Sequence, residues 1–347
     1  MNKLPSILFS LCGDHNKASS RVRGYWVSKE LQKIGFSVTH FRVTSKADYI
    51  RFTASILKHD IIIFQKTYSR YDPYMVRFAR LLGKRCYFDI DDAPSRTQKS
   101  VARKNAARMM RLTNGVFAGS RELAKLAKVD QPKTHLIPSG ILLENYKVLA
   151  QKPDKPDTPI CLGWIGNGAH YVDDLISILA EPLRELASRH SIKFRIIGAC
   201  EVSKLTEVFG AIHGLEIDFI DQIDWSSPDA VSSAIAPFDI GLYPLKKNAF
   251  NRFKCGFKAL EYMASGIPVV ASAVPGNTDI IQSGKNGYLV TSKLDWINTI
   301  EELIADNDLR RQIGVQGRKH VELNYSTEKI ASDVALIITS PSIVSHI

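Results

Sequence analysis

The stretch NRFKCGFKALEYMASGIPVVASAVPGNTDIIQSGKNGYLV, residues 251–290, contains a helix, a strand and a turn in immediate succession. Its first part predicts a helix over 254–264, which Gly266 and Pro268 end. The apolar run at 267–271 then predicts a buried strand, and a turn rich in Pro, Gly and Asn follows it. A buried strand between a helix and a turn is typical of a parallel sheet whose two faces are covered by helices.

The same alternation runs through the rest of the chain. Strands are predicted at 6–11, 36–43, 60–65, 85–90, 115–118, 135–138, 160–165, 192–197, 215–220 and 239–243. Helices are predicted at 20–34, 47–57, 73–82, 172–189 and through most of 294–338. Strands without period-2 alternation, interleaved with helices of roughly 10–15 residues, predict an α/β fold with doubly wound parallel sheets.

The segment QKPDKPDTP, residues 151–159, separates two such series. It contains three prolines and four charges without periodicity, which is typical of an interdomain linker. We therefore predict two Rossmann-like domains, at 1–150 and 160–325, and a helical tail at 326–347 that packs back on the first domain. Doubly wound sheets bind ligands at the carboxyl ends of their strands, so we expect both domains to face one interdomain cleft.

Composition excludes several classes of protein. With 45% hydrophobic and 23% charged residues in a chain of 347, the protein is neither disordered nor collagen-like. Its five cysteines lie far apart without a C-x-x-C spacing, which argues against a disulfide scaffold and a cysteine zinc site. The apolar run near the N-terminus covers only residues 6–12, whereas a membrane span needs about 20 residues. We expect a soluble, cytoplasmic protein.

Charge is distributed unevenly between the two predicted domains. Residues 1–150 carry 27 Lys and Arg against 11 Asp and Glu, whereas residues 151–347 carry 19 against 24. A basic half beside a mildly acidic one indicates that the first half meets an anionic partner. A nucleic acid, a phosphorylated carrier and an acidic lipid surface all fit this charge.

Three charged side chains in the opening stretch predict a nucleotide site. Lys254, Lys258 and Glu261 are spaced four and three apart, which places them on one face of the predicted helix. The turn with Gly276 and Asn277 offers backbone N–H groups that can cradle phosphate, the lysines can neutralise it, and the carboxylate can accept bonds from a ribose diol. The alternative is an ordinary solvated ion-pair face.

Five segments of the chain resemble a known family. Residues 261–272 (EYMASGIPVVAS) and 284–290 (GKNGYLV) resemble the C-terminal signature of the family-4 (group 1) retaining glycosyltransferases, which have the GT-B fold. Residues 239–244, 119–124 and 135–140 resemble other segments of that family in the same order. The resemblance therefore extends through most of the chain.

The resemblance implies an enzyme that moves a sugar from a nucleoside-diphosphate sugar to a hydroxyl acceptor without a metal or a cofactor. It places Glu261 on the nucleotide ribose. A nucleotide-sugar epimerase of the same fold and a non-catalytic GT-B partner subunit that binds a nucleotide sugar or a glycan remain as alternatives. A dehydrogenase is disfavoured because no G-x-G-x-x-G follows the first strand of either domain.

Two positions depart from the family pattern. Phe253 stands where the family has a sugar-contacting glutamate, eight residues before Glu261. The segment Gly166, Asn167, Gly168 follows the first strand of the second domain, where the family offers an arginine and a lysine to the diphosphate. We expect this glycine-containing turn to allow a close approach of phosphate, and Lys254 and Lys258 to supply the missing cations.

The loop after the first strand predicts contacts to the substrates in the first domain. It corresponds in place to the glycine-rich loop of the family and contains Gly13, His15, Arg21 and Arg23. We expect His15 to contact the donor or the acceptor, and Gly13 with the two arginines to bind an anionic acceptor. The alternative for His15 is a loop histidine without a role.

Three carboxylates end the strand at 85–90. Asp89-x-Asp91 matches the metal motif of another glycosyltransferase fold, but the resemblance is to a metal-independent fold, so we predict no metal site. Asp91 falls roughly where many relatives have a histidine beside the transferred sugar. Asp91 or Asp92 can therefore orient the acceptor hydroxyl or stabilise an oxocarbenium ion. The alternative is a helix N-cap and pairing with arginines.

A basic helix is predicted over residues 98–113. Its cations are Lys99, Arg103, Lys104, Arg108 and Arg111, with apolar residues mostly on another face. Such a helix suits peripheral contact with an anionic membrane at its inner face, and a merely solvated basic face fits equally. Nucleic acid is disfavoured because no stacking or groove-reading pattern accompanies the charge. With the resemblance, this suggests envelope or surface polysaccharide assembly on a glycan or lipid-linked acceptor.

Overall fold

The computed structural model describes residues 4–93, 100–147, 158–225, 227 and 229–340. The chain divides into two compact units, Met1–Leu142 with Tyr325–Ile347, and Leu143–Asn324. The division falls eight residues before the predicted linker, most of which lies outside the described residues. Within the described ranges, no helix combines the length and the apolar composition that crossing a bilayer requires.

The first unit is built on a parallel sheet of six strands. These are β1 (Ile7–Leu11), β2 (Val38–Phe41), β3 (Ile61–Gln65), β4 (Arg85–Ile90), β5 (Gly115–Ala118) and β6 (Thr134–Leu136). Their order is β2-β1-β3-β4-β5-β6. Every residue of β1 and β3 is buried, because helices cover both faces of the sheet. The strand order reverses between β1 and β3, which is the switch point of this sheet.

Helices connect these strands and cover the sheet. They are α1 (Ala18–Ser20), a π-helical turn (Arg21–Trp26), α2 (Val27–Lys33), α3 (Asp48–Leu57), α4 (Asp72–Leu81), α5 (Ser100–Leu112) and α6 (Arg121–Lys128). The predicted helix at 20–34 therefore contains a π-helical turn. Gly24 lies in that turn, where a Cβ atom would approach Leu11 Cδ2 to 2.4 Å. The glycine lets the turn pack directly on β1.

The second unit also contains a parallel six-stranded sheet. Its strands are β7 (Ile160–Ile165), β8 (Ile192–Ile197), β9 (Leu215–Ile220), β10 (Ile240–Tyr243), β11 (Val269–Ser272) and β12 (Tyr288–Val290). The order β12-β11-β10-β7-β8-β9 places the switch point between β7 and β10. This is the strand order of dinucleotide-binding Rossmann sheets.

The helices of the second unit pack on both sides of its sheet. They are α7 (Gly168–Ala187), α8 (Ser203–Gly210), α9 (Ala230–Ile235), α10 (Phe257–Ala264), α11 (Pro275–Thr278), α12 (Lys293–Ala305) and α13 (Asn307–Asn324). Short 3-10 turns lie at Leu143–Asn145 and Asn251–Phe253. Trp164, Phe194 and Phe209 are fully buried in the core between β7, β8 and the helices.

The chain then returns to the first unit through α14 (Thr327–Thr339). Two backbone bonds hold the return: Ile141 N–H donates to Tyr325 O (2.7 Å) and Thr327 N–H donates to Ile141 O (2.9 Å). Apolar residues of α14 at helical spacing, among them Ile330 and Val334, are buried in the same core as β1 and α2. The tail helix is therefore part of the first unit, and residues 341–347 lie outside the described chain.

Candidate functional site

A lysine lies at the switch point of each sheet. In the first unit Lys66 directly follows β3. In the second unit the Lys258 side chain lies between the end of β7 and the end of β10, against Gly166 and Tyr243. Crevices at switch points are where doubly wound sheets bind ligands, so both lysines mark candidate sites.

Aromatic rings surround the ammonium of Lys258. Its Nζ lies 4.3 Å from the ring centroid of Tyr171, 5.3 Å from that of Tyr243 and 5.6 Å from that of Trp164. A Cβ atom at Gly166 would lie 2.6 Å from Lys258 Cε, so only glycine leaves room for the lysine to cross the end of β7. Within the described chain, Lys258 forms no ion pair. Its positive charge is held by cation–π contacts and remains available to an anion.

Lys254 does not share a helix face with Lys258, which corrects the prediction from spacing. The helix begins only at Phe257, because Gly256 adopts the left-handed conformation (φ 63°) and interrupts the helical backbone. Lys254 lies before it in extended backbone. Its Nζ lies 4.2 Å from the ring centroid of Phe250 and 5.8 Å from that of Tyr171. The two lysines therefore meet at Tyr171 from different elements.

A buried hydrogen-bond network fixes the loop that carries Lys254. Asn251 Nδ2 donates to Asp174 Oδ1 (2.9 Å) and to Lys246 O (3.0 Å). The Lys246 N–H donates to the same Asp174 oxygen (2.6 Å). Asp174 belongs to α7, so this loop is tied to the helix that follows β7. Neither Asn251 nor Asp174 was predicted as a site residue from the sequence.

Glu261 is buried and has a defined partner. Its carboxylate is 8% exposed and accepts a hydrogen bond from the Tyr146 hydroxyl at Oε1 (3.1 Å). The alternative of a solvated ion-pair face is therefore wrong, because Glu261 is buried and Lys258 lies among aromatic rings. A buried carboxylate one helical turn from an unpaired lysine suits a ligand that carries both hydroxyl donors and an anion.

The turn after β7 has its own internal hydrogen bonds. Gly166 N–H donates to Ile197 O (2.9 Å), and Gly168 N–H donates to Gly198 O (2.7 Å). The Asn167 side chain caps α7 by accepting from the N–H of residue 170 (3.1 Å). These two glycine N–H groups are bonded within the unit and are not available to phosphate, and the close approach of phosphate at this turn stays a prediction. The turn also makes room for Lys258.

Gly276 and Asn277 also have structural roles that differ from the prediction. They lie in the short helix α11, where Asn277 N–H donates to Val274 O (2.9 Å) and Asn277 Nδ2 donates to Ser272 O (2.9 Å). Asn277 is fully buried. A Cβ atom at Gly276 would lie 1.9 Å from the Lys254 carbonyl oxygen. Gly276 therefore packs against the backbone of Lys254, whereas Asn277 stabilises the turn after β11 and its N–H is not available to phosphate.

Phe253 ends the 3-10 turn before Lys254 and is partly buried. The guanidinium of Arg252 lies 5.8 Å from its ring centroid. The position at which the family resemblance places a sugar-contacting glutamate therefore carries an aromatic ring in contact with a cation.

In the first unit, Lys66 joins the two candidate catalytic carboxylates. Its Nζ lies 2.9 Å from Asp91 Oδ1 and 3.0 Å from Asp92 Oδ2. Burial alone would raise the pKa of Asp91, but the charges of Lys66 and Arg23 outweigh it and lower that pKa below its ordinary value. The same carboxylates raise the pKa of Lys66 despite burial. Asp91 and Lys66 are therefore both charged at neutral pH, and Asp92 is the second carboxylate in contact with the ammonium.

Arg23 lies beneath this cluster and is buried. Its Nε and Nη2 donate to the two oxygens of Asp89, each at 2.7 Å, and its Nη1 donates to Ile137 O (2.9 Å). Both side chains are nearly inaccessible to solvent. Arg23 is therefore a structural residue and does not reach an anionic acceptor, contrary to expectation. Asp89, bound on both oxygens, likewise does not pair with Asp91 to hold a metal.

The loop of Gly13 and His15 is exposed and ordered by its own contacts. The His15 ring stacks on Tyr25 with centroids 3.6 Å apart and planes at 18°. Arg21 Nη1 donates to His15 O (2.8 Å), which closes the loop. A Cβ atom at Gly13 would approach the Lys17 side chain to 2.5 Å. His15 is thus held at the surface on an aromatic ring, and Arg21 serves the loop backbone.

Comparison with known proteins finds relatives of the second unit. Residues 159–306 match the family described as "Glycosyl transferases group 1". Through this region, the chain is similar to the group 1 glycosyltransferases. D-inositol 3-phosphate glycosyltransferase of Nocardia farcinica is 24% identical over 244 residues, which are 66% of this chain and 52% of that protein. The capsular polysaccharide biosynthesis glycosyltransferase CapM of Staphylococcus aureus is 33% identical over 95 residues, 26% of this chain and 23% of CapM.

The chain spans about half or less of the length of those curated relatives. Among solved structures, that of Anabaena HepE in complex with UDP and glucose is similar, with a TM-score of 0.69 and 13% identity. The similarity covers 97% of this chain and all of HepE. The fold is therefore GT-B, as the resemblance implied.

Strained backbone conformations occur just after the ends of two strands. Among the described non-glycine residues, positive φ occurs at Lys66 (52°), Cys200 (59°) and Glu201 (54°). Lys66 follows β3 and the other two follow β8 by a few residues. Such conformations cost about 1–3 kcal/mol each and concentrate at functional sites, so they agree with the location of the candidate sites. None of these three residues was predicted from the sequence.

The predicted basic helix corresponds to α5. Its cations Arg103, Lys104 and Arg108 are exposed, whereas Met109 and Met110 are buried in the first unit. Arg111 pairs with Asp130 (3.7 Å), and Lys99 lies outside the described residues. Because the apolar face packs inside the unit, α5 offers a membrane its charge and not an apolar face.

Proposed function

We propose that this protein is a retaining glycosyltransferase that moves a sugar from a nucleoside-diphosphate sugar to a hydroxyl acceptor during assembly of a cell-envelope or surface polysaccharide. The observation that carries the proposal is the arrangement on α10, where Lys258 and Glu261 lie one turn apart beside the switch point of a Rossmann sheet. This is where such sheets bind nucleotides.

In this proposal Lys258 neutralises the donor diphosphate. Its ammonium is held by three rings without a counter-ion among the described residues, so anion binding requires no existing ion pair to break. Lys254 reaches the same aromatic ring of Tyr171 and supplies a second cation. Glu261 accepts hydrogen bonds from the ribose diol. The complex of HepE with UDP and glucose makes UDP the first nucleotide to test.

The chemical step needs charge stabilisation more than a strong base. By the family resemblance, an oxygen of the leaving diphosphate assists deprotonation of the acceptor hydroxyl on the same face of the sugar. The Asp91, Asp92 and Lys66 cluster carries a net negative charge, which stabilises a positive charge developing at the anomeric carbon. His15 is the second candidate in the first unit, since its ring is exposed and held in place.

The acceptor in this proposal is an anionic glycan or a lipid-linked glycan bound by the first unit. The excess of cations in residues 1–150 and the exposed charges of α5 support it. The similarity to CapM, whose name places it in capsular polysaccharide biosynthesis, supports the pathway class. Gly13 and Arg21 shape the loop that we assign to the acceptor. Contact of α5 with an anionic membrane is electrostatic and therefore weakens as salt increases.

Calorimetric titration with UDP, GDP, ADP and dTDP tests the donor site. We expect one nucleotide to bind the wild type, and Lys258→Met and Glu261→Gln each to weaken it about tenfold or more, the size of a lost charge-assisted contact. Lys319→Met, which removes an exposed lysine of α13, is the matched control. No binding of any nucleotide by the wild type would overturn the donor assignment. Proton NMR of a product formed with retained anomeric configuration tests the reaction class.

Phe253 favours a second candidate, a non-catalytic partner subunit that binds a nucleotide sugar or glycan. Without a carboxylate at this position, the donor sugar loses a contact that the family resemblance implies. Nucleotide binding with no sugar transfer or nucleoside-diphosphate release across an acceptor panel would support this candidate. If Phe253→Glu then raises transfer, the phenylalanine is the cause.

A further inference from the structure

We infer that Tyr146 is a positioning residue for donor binding: its hydroxyl holds the Glu261 carboxylate in the orientation in which it meets the nucleotide ribose. This inference rests on the proposed donor site and adds a residue that no part of the family signature contains. Tyr146 lies 115 positions from Glu261, just after the 3-10 turn that opens the second unit.

The contact between the two side chains is a hydrogen bond that is shielded from water. The Tyr146 hydroxyl donates to Glu261 Oε1 at 3.1 Å, with 3% of the tyrosine and 8% of the glutamate exposed. A hydrogen bond to a buried carboxylate is stronger than one between neutral groups, and it restricts rotation of the carboxyl group. A carboxylate fixed in this way does not have to be ordered by the incoming ligand.

One guanidinium anchors both sides of this contact. Arg318 Nη1 donates to the carbonyl oxygen of Tyr146 (2.7 Å) and also to the carbonyl oxygen of Ala264, the last residue of α10. Its Nε donates to Glu322 Oε1 on the same helix α13 (2.6 Å). Tyr146 and the helix that carries Glu261 are thus held to one rigid element, which defines the distance between the two side chains.

A carboxylate has two oxygens, each able to accept two hydrogen bonds. The hydrogen bond from the tyrosine uses one of these positions, and the orientation that it imposes on the carboxylate sets how Glu261 meets the adjacent hydroxyls of a ribose. Removing the tyrosine hydroxyl leaves the ring and its packing in place. The loss should therefore fall on ligands that use the ribose hydroxyls, and not on ligands that lack them.

The test compares Tyr146→Phe with wild type by calorimetric titration of the full chain. The probes are UDP, GDP and ADP and the corresponding 2′,3′-dideoxynucleoside diphosphates. For the ribonucleotide that the wild type binds, we expect Tyr146→Phe to raise Kd about tenfold, the size of a lost hydrogen bond to a charged group. For the dideoxy counterpart we expect less than a twofold change. Tyr288→Phe is the control, since its hydroxyl makes no hydrogen bond among the described residues.

The possible results separate the inference from the proposed donor site. Suppose that Glu261→Gln weakens binding of the ribonucleotide. The positioning role of Tyr146 is then overturned if Tyr146→Phe weakens the ribonucleotide and its dideoxy counterpart equally, or if it does not weaken the ribonucleotide at all. If the wild type binds ribo- and dideoxynucleotides equally, or Glu261→Gln binds as the wild type does, the ribose assignment of Glu261 fails first. In a transfer assay, a raised KM for the donor with unchanged kcat is the expected kinetic result for Tyr146→Phe.

Discussion

Replacing Lys66 by methionine removes the cation that compensates two partly buried carboxylates. Lys66 Nζ lies within 3.0 Å of an oxygen of Asp91 and of Asp92. Side-chain exposure is 18% for the lysine, 14% for Asp91 and 29% for Asp92, so the Asp91 pair is largely shielded and the Asp92 pair less so. Methionine keeps most of the length and volume of lysine, so the substitution tests charge more than packing.

The expected loss in the free energy of unfolding follows from this partial burial. Removing one partner of a buried ion pair costs about 3–5 kcal/mol, and the remaining exposure here places the value near the lower end, about 3 kcal/mol. For a unit of this size that lowers the unfolding temperature by roughly 6–12 °C. Lys58→Met, which removes an exposed lysine in the same unit, should change it by less than about 2 °C.

The stability that Lys66→Met loses should depend on pH in a defined direction. The native pKa of Asp91 is lowered, so the stability that its pair contributes is present above the unfolded pKa of about 3.9 and is lost as the pH falls through the native pKa. In Lys66→Met, burial is no longer outweighed by the lysine, and the pKa of Asp91 rises. The variant is then destabilised less at pH 5 than at pH 8, because protonation removes the buried charge. Arg23 also lowers this pKa, which limits the change.

Thermal unfolding of wild type, Lys66→Met, Asp91→Asn and the double variant between pH 5 and pH 8 measures both effects. We expect a favourable interaction energy between Lys66 and Asp91 that is larger at pH 8 than at pH 5. If Lys66→Met unfolds at the wild-type temperature at pH 8, or loses the same stability at both pH values, the electrostatic reasoning is refuted.

Three further outcomes test other parts of the structure. Gly163→Ala should destabilise the second unit by about 1–3 kcal/mol in urea unfolding, since the added Cβ would lie 2.2 Å from ring atoms of Phe238. Gly210→Ala is the control, because open space surrounds that position, and it should leave the stability unchanged or raise it. Burial raises the pKa of the Cys86 thiol to about 12, so it should stay unlabelled by iodoacetamide at pH 8 in the native protein, as peptide mapping would show. Ser292→Ala should lower stability by about 1 kcal/mol by removing the cap of α12, and an unchanged unfolding temperature would contradict that role.

The parallel sheets were predictable from the sequence because their strands are buried without alternation, as β3 illustrates. The start of α10 was not, because the sequence pattern around residue 256 cannot show which of the backbone conformations open to glycine it adopts. The predicted helix start at 254 was therefore too early, and it wrongly put Lys254 on the face of Lys258.

The site was predictable where local sequence decides it and not where distant segments meet. Glu261 and Lys258 lie in one helix and share a local signature. Lys66 lies 26 positions from Asp92, and Tyr146 lies 115 from Glu261, so no spacing rule connects either pair. Arg23 was misassigned for the same reason, since its buried partner Asp89 is 66 positions away. A lysine directly after an apolar strand was the one local signal that could have pointed to Lys66.

The return of α14 to the first unit has a consequence for the order of assembly during translation. Residues 143–324 are contiguous, so every residue of the second unit is synthesised before α14. The core of the first unit instead requires Ile330, Val334 and Ile338, which are among the last residues made. The half of the protein that the ribosome makes first therefore has its core complete only after the other half has been synthesised, and until then the apolar residues that α14 covers lack their partner.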